Sequence, residues 1–306
     1  MTITVFGSIN IDLTTYSERL PKSGETLHGQ RYAIGLGGKG CNQAVAITAL
    51  GAKANLVGRI GNDEFGNNAQ KLLSKFGVNT ASVHVDPSDA TGIAVISVDA
   101  QAENSITVIG GANMAVDQSD VMRHKIVFEQ TKVLLLQMEI PLLAALSAAD
   151  IVRSNNGVVV LDPAPAPPDG LDPAILKRID IITPNETETE ALCGIKPKDA
   201  NQAAQAATLL RAQGVKIAII KLGSKGVYYQ SETEDGFVSA FKVDSIDTVA
   251  AGDCFNGGLA YQLSLGASLG KAVEFAAACG ALSTTKAGAA ESAPSLSDVL
   301  ELTSSV

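Results

Sequence analysis

No apolar run in the 306 residues approaches the roughly 18 that a membrane-spanning helix needs. The opening residues, MTITVFGSINID, lack the basic and long apolar regions of a secretory signal and read as a strand of the fold. The expected location is therefore the cytoplasm. Cysteine and histidine are equally sparse. Cys41, Cys193, Cys254 and Cys279 are scattered, no CxxC occurs, and His28, His84 and His124 lie far apart. That argues against a zinc site and fits reduced thiols. Charge never collects into a long run of one sign, and the net charge of −9 argues against nucleic acid as the main partner. Anionic small molecules stay open, because backbone N–H groups can oppose a negative net charge locally. The chain has no internal repeat.

Apolar residues make up 46% of the chain, enough for one large α/β domain with or without a smaller attached element. Strand-like runs recur: TITVFG (2–7), ANLVGRI (54–60), KVLLLQM (132–138), GVVVLD (157–162), DIIT (180–183) and KIAIIKLG (216–223). Helical patterns lie between most of them. Alternation of this kind predicts a mainly parallel, doubly wound sheet with helices on both faces. Near-continuous apolar runs such as VLLL and VVVL agree, since such strands are buried on both sides. Two segments break the rhythm: residues 11–36, and TGIAVISVDAQAENSITVIGG (91–111), which reads as a hairpin turning between Asp99 and Asn104. Together they suit a small sheet projecting from the main domain over a site. DPAPAPPDGLDP (162–173) reads as a rigid loop leaving a strand.

Several stretches carry candidate chemistry. GLGGKGCNQA (35–44) contains a literal GxGxxG at Gly35, Gly37 and Gly40. The dinucleotide reading fails for want of a core strand before it and an acid about 20 residues later, and no GK[ST] follows. The glycines still permit close approach at a helix N-terminus, with Lys39 and Asn42 at its mouth; a plain tight turn is the alternative. In GSINID (7–12), Asn10 and Asp12 share one side of an extended segment, an amide and a carboxylate suited to a vicinal diol; a strand-end turn is the alternative. LLLQMEIP (134–141) ends a buried strand with Gln137 and Glu139, where open α/β sheets bind ligands. ITPNETETEALCG (182–194) opens a helix with an acidic first turn that capping alone explains; the other reading has Asn185 and Glu188 organise water and Mg²⁺ near phosphates. KLGSKG (221–226) is a strand-to-strand turn or a nucleotide wrap. In DTVAAGDCFNGG (247–258) the small residues Ala250, Ala251 and Gly252 precede Asp253 at a helix start, leaving N–H donors open to an anion; a plain helix cap is the alternative for Asp253.

In combination these stretches resemble the phosphofructokinase-B family of sugar kinases over essentially the whole chain, most specifically through GGKGCNQA and DTVAAGDCFNG. The resemblance implies a nucleotide- and substrate-binding domain of residues 1–10, 37–90 and 112–306, with a β-sheet lid of residues 11–36 and 91–111 that pairs with a second copy in a homodimer. It implies transfer of the ATP γ-phosphate to the 5-hydroxyl of D-ribose. Asn10, Asp12, Gly38, Lys39, Asn42 and Glu139 would hold the sugar and Asp253 would act as base. The backbone N–H groups of Ala250, Ala251 and Gly252 would form the anion hole. Nucleotide would meet Asn185, Lys221, Gly223, Ser224, Gly226, Gly252 and Ala277, with Glu188 serving Mg²⁺ through water. Asp247, Val249, Ala287, Ala289 and Ser292 would hold activating K⁺. Other acceptors (fructose, tagatose, adenosine) and a non-catalytic sugar sensor stay open. Cys41 and Cys254 stand where Ala and Thr are expected, either as small hydrophobes or as thiols activated at a helix start.

Overall fold

The computed structural model describes residues 2–101 and 103–304. In chain order the strands are β1 (Ile3–Phe6), β2 (Asn10–Tyr16), β3 (Arg31–Gly37), β4 (Ala54–Gly61), β5 (Asn79–Asp86), β6 (Gly92–Val98) and β7 (Asn104–Ile109). They continue with β8 (Val133–Leu136), β9 (Val158–Leu161), β10 (Ile181–Ile182), β11 (Ile217–Lys221), β12 (Gly226–Gln230) and β13 (Asp235–Ser239). Nine of them form one sheet in the order β13-β12-β11-β10-β9-β8-β1-β4-β5. Seven run parallel; β12 and β13 are antiparallel additions at one edge.

The apolar strands divide their side chains between two cores. Ile3, Val5, Val133, Leu135, Val160 and Ile219 enter one cluster with Val45, Phe255 and Leu259 of two helices, Lys39–Ala49 and Ala251–Ser264. Phe6, Leu134, Leu136, Val159, Leu161 and Ile220 enter the other with Ala145, Ala149 and Leu210. The period-2 geometry of a strand thus turns an unbroken apolar run into two buried faces. Each fully buried Leu or Ile contributes about 1.5–3 kcal/mol over an exposed one.

The remaining four strands form a separate sheet, β3-β2-β6-β7. The chain passes from β1 into β2 through only Gly7, Ser8 and Ile9, so the small sheet starts where a central strand of the large one ends. β1 pairs with β8 on one side and β4 on the other. The order reverses there, and the crevice beyond the strand C-termini at such a point is where open sheets bind ligands. The C-terminal ends of β1, β8, β9, β10 and β11 deliver Ser8, Glu139, Asp162, Asn185 and Gly223 to that one edge.

Candidate active site

The GGKG segment enters its helix abruptly. Gly38 is the N-cap at φ 88°, a backbone state that favours glycine, and Lys39 is the first helical residue. The strand before it is β3 of the small sheet, not a core strand, which removes the dinucleotide reading structurally. The backbone N–H of Lys39 donates to Glu139 Oε2 at 3.0 Å, and Ser8 Oγ donates to the same oxygen. Glu139 therefore occupies a helix N-terminus, where a carboxylate is favoured.

Asn10 and Asp12 project together from β2, as an extended segment requires. Asn113 Nδ2 donates to Asn10 Oδ1 at 2.7 Å, and Asn113 also exchanges hydrogen bonds with the Ile9 backbone. Asp12 faces Gly35 and lies beside Gly37, where a side chain would collide with its carboxylate. Burial, then Glu139 and Glu291, push the Asp12 carboxyl up to about 6.

Asp253 sits in the first turn of the Ala251–Ser264 helix and is 4% exposed. Asn42 Nδ2 donates to its Oδ2 at 3.0 Å and Gln43 Nε2 to its Oδ1 at 3.1 Å. Both oxygens thus act as acceptors, the arrangement of an oriented carboxylate. Burial raises its pKa; Lys39, Asn42 and Gln43 oppose that, and Asp162 adds to it. Asn42 Oδ1 is buried and has no protein partner, an acceptor left for a ligand hydroxyl. Lys39 is held charged above its ordinary range, first by Asp253, against its own burial.

Ahead of Asp253 the N-cap Ala250 adopts φ 60° and supplies no capping side chain. The Ala251 N–H donates to the Thr248 carbonyl at 3.3 Å, and the Gly252 and Asp253 N–H groups are left to whatever binds there. A left-handed alanine costs about 1 kcal/mol or more and persists where the surroundings demand it. Lys221 Nζ reaches Asp162 Oδ1 at 3.1 Å beside this turn.

Asn185 and Glu188 form a reciprocal capping box, with Asn185 N to Glu188 Oε2 at 2.8 Å and Glu188 N to Asn185 Oδ1 at 2.9 Å. Capping accounts for their geometry. Burial raises the Glu188 pKa, while Lys221 and Lys39 lower it, which puts it within electrostatic reach of the same crevice. Gly223 and Ser224 lie in the exposed turn between β11 and β12, and Gly226, buried, opens β12. Ala277 packs at the margin of the main core. Asp247 joins two loops, its Oδ1 accepting from Val249 N and its Oδ2 from Gly288 N, both at 3.0 Å. Ser292 Oγ donates to the Ala289 carbonyl at 2.7 Å, and Ala287 lies in the same loop. Among the described residues no three His, Cys, Asp or Glu side chains cluster as a metal cage. Cys41 and Cys254 are buried, and burial raises both thiols, Cys254 to about 12. They behave as small hydrophobes.

Gln43, Asp162 and Asn113 belong to this site and were not singled out from sequence. Asp162 carries the same signal as Glu139, a carboxylate closing an apolar strand. Gln43 follows Asn42 and lies one helical turn from Lys39. Asn113 stands in a 3₁₀ turn with no pattern of its own.

An oriented buried carboxylate at an open helix start, in a crevice at the C-terminal ends of a parallel sheet, suits group transfer to a hydroxylated small molecule. The chain belongs to the pfkB family of carbohydrate kinases, whose description matches residues 2–296. It is 40% identical to a ribokinase of Haemophilus influenzae over 98% of this chain and 97% of the other. It is 36% identical to a deoxyribokinase of Salmonella typhi over 97% and 96%. Its fold matches Arabidopsis thaliana ribokinase complexed with ribose and ATP at TM-score 0.89 and 32% identity, covering 98% and 97%.

Proposed function

We propose that the chain transfers the γ-phosphate of ATP to the 5-hydroxyl of D-ribose, giving ribose 5-phosphate. The observation that carries the reading is the Asp253 carboxylate, oriented by Asn42 and Gln43 at a helix start that lacks a side-chain cap. Similarity to ribokinases selects ribose; similarity to a deoxyribokinase makes 2-deoxyribose the rival acceptor.

Asn10, Asp12, Gly38, Lys39, Asn42 and Glu139 bind the sugar, and the orphaned Asn42 Oδ1 takes one hydroxyl. Asp253 accepts the proton of the attacking hydroxyl as the new P–O bond forms. Its raised pKa makes it a stronger base than an exposed aspartate. The N–H groups of Ala250 and Gly252 face the charge on the transferring group, whereas that of Ala251 is held by the Thr248 carbonyl. Asn185, Lys221, Gly223, Ser224, Gly226 and Ala277 border the nucleotide. Bound Mg²⁺ supplies charge neutralisation on the phosphates, and Glu188 suits it through water because both its oxygens are already engaged by Asn185. Asp247 with carbonyl oxygens around Val249, Ala287 and Ala289, and Ser292, forms an oxygen-rich donor set that suits K⁺.

Residues 11–36 and 91–111 act as the lid, and 1–10, 37–90 and 112–306 as the body. The small sheet exposes Tyr32, Ile34 and Ile109 on one face and Ile106 and Val108 on the other, exposed apolar side chains that support pairing of two lids in a homodimer. Four unpaired cysteines support a cytoplasmic setting. The test measures ADP release with ribose, 2-deoxyribose, fructose, tagatose and adenosine, with and without K⁺. Ribose is expected to give the highest kcat/KM, with K⁺ raising it. Turnover of another acceptor in preference to ribose overturns the substrate assignment.

A further inference from the structure

The crevice holds the carboxylates Asp12, Glu139, Asp162, Glu188 and Asp253 against the ammonium groups of Lys39 and Lys221. A phosphoryl group entering such a field is repelled unless positive charge lies where it lands. Lys39 interacts most strongly with Asp253, and with Asp162, Glu139 and Glu188 as well. Direct contacts fix the position of Lys221. Its side chain is 13% exposed and its Nζ is 3.1 Å from Asp162 Oδ1. A methyl group placed on Gly252 would lie 3.3 Å from that Nζ. The ammonium therefore stands beside the open first turn of the Ala251–Ser264 helix, and the two features make one positively polarised corner.

Asp162 does more than neutralise the lysine. Its other oxygen, Oδ2, accepts from Gln43 Nε2 at 3.2 Å. The same Gln43 nitrogen donates to Asp253 Oδ1 at 3.1 Å. Gln137 Nε2 fixes the Gln43 amide by donating to its Oε1 at 2.7 Å. A continuous chain, Lys221–Asp162–Gln43–Asp253, joins the corner by Gly252 to the carboxylate proposed as base.

We infer that Lys221 is a catalytic residue that contacts the transferring γ-phosphoryl group as the charged member of the Gly252 anion hole, with Asp162 and Gln43 as positioning residues that fix it relative to Asp253. The chemistry is unchanged: one P–O bond forms as another breaks, and Lys221 donates hydrogen bonds without exchanging a proton. The inference deepens the proposed kinase reading and rests on it.

The test compares affinity for ADP and for β,γ-imido-ATP by calorimetry in the absence of sugar, alongside kcat and KM with ATP and ribose. In Lys221→Met, kcat is expected to fall about 10²–10³-fold, the usual effect of losing one such donor. Ribose KM should change by less than about threefold, because the sugar contacts are untouched. Affinity for the imido analogue should fall at least about tenfold more than affinity for ADP. Lys221→Arg should restore part of both. Lys221→Met leaves Asp162 buried and unpaired, so Lys221→Met/Asp162→Asn supplies a neutral version should the single variant fold poorly. For the positioning role, Asp162→Ala should lower kcat and Asp162→Asn, which keeps an acceptor for the ammonium, should recover most of it. Equal loss of affinity for both nucleotides, or near-wild-type kcat in Lys221→Met, overturns the inference. A wild-type protein that ignores ribose overturns the substrate reading instead, and leaves the nucleotide comparison intact.

Discussion

Asp253 and Asp12 are both buried carboxylates, yet their neighbours give them different expected behaviour. Asp253→Asn keeps the shape and the burial but removes the proton acceptor. It should fold and bind ribose, while turnover falls by about 10²–10⁴-fold or more; stopped assays with calorimetric binding of ribose separate the two effects. Asp12 titrates at about 6 when folded, above its ordinary 3.8. Between those values the native protein holds a proton that the unfolded chain has released. Stability from this group is therefore complete below about pH 4 and is lost as pH rises through 6. Asp12→Asn should gain thermal stability over wild type as pH rises from 4 to 7, and weaken sugar binding throughout. In wild type, ribose KM should climb below pH 6 as the acceptor carboxylate is protonated. Residues on strong local patterns, such as Asn10 and Lys39, were legible in the sequence. Gln43 and Asp162 were not, because their importance comes from each other across 119 positions.

Elements show where strain and charge are concentrated. The Ala251–Ser264 helix begins from a left-handed alanine. Ala250→Gly relaxes that backbone without touching an N–H donor, and should raise stability by about 1 kcal/mol with kcat almost unchanged, as melting and steady-state assays will report. A second tie is Arg59 on β4, which meets Asp86 and Asp120 at 2.8 Å and Asp117 at 3.3 Å. It clamps β5 and the Gln118–Arg123 helix to the sheet. Arg59→Met leaves Asp86 buried without a cation, while Asp120 keeps Arg123 at 2.5 Å, and should cost about 3 kcal/mol in urea unfolding. The central strands were legible because both faces are apolar. β5 and β13 were not: each is an edge strand, half exposed, and its sequence (NTASVHVD and DGFVS) lacks a continuous apolar run.

At the scale of the whole molecule, the net charge of −9 extends into the crevice, where five carboxylates outnumber two lysines. Local donors and two lysines set the field that ATP meets. One face of the small sheet exposes Ile106 at 54% and Val108 at 56%. If the small sheet pairs with a second copy through this face as proposed, Ile106→Lys/Val108→Lys should lower the mass seen in sedimentation analysis to that of one chain. The alternation of strands and helices made the large sheet legible, and the two irregular segments became the strands of the small one. The switch between sheets was legible almost to the residue: the sequence predicts the small sheet from residue 11 after a first strand at 2–7, and β2 begins at Asn10.

That switch has a consequence for how the molecule can diversify. Asn10 and Asp12 ride on the small sheet, whereas Lys39, Asn42, Gln43, Asp162 and Asp253 are rooted in the large one. Part of the proposed acceptor pocket thus rides on a sheet separate from the elements that carry Asp253, and the chain crosses between the two at 7–9, Gly38, 87–91 and Gly110. Substitutions on β2, β3 and β6 can retune which hydroxyl compound is admitted while the phosphate end keeps its wiring. A single ancestral scaffold can in this way supply many acceptors at the expense of a few side chains, and a library confined to those three strands is the economical place to look for new ones.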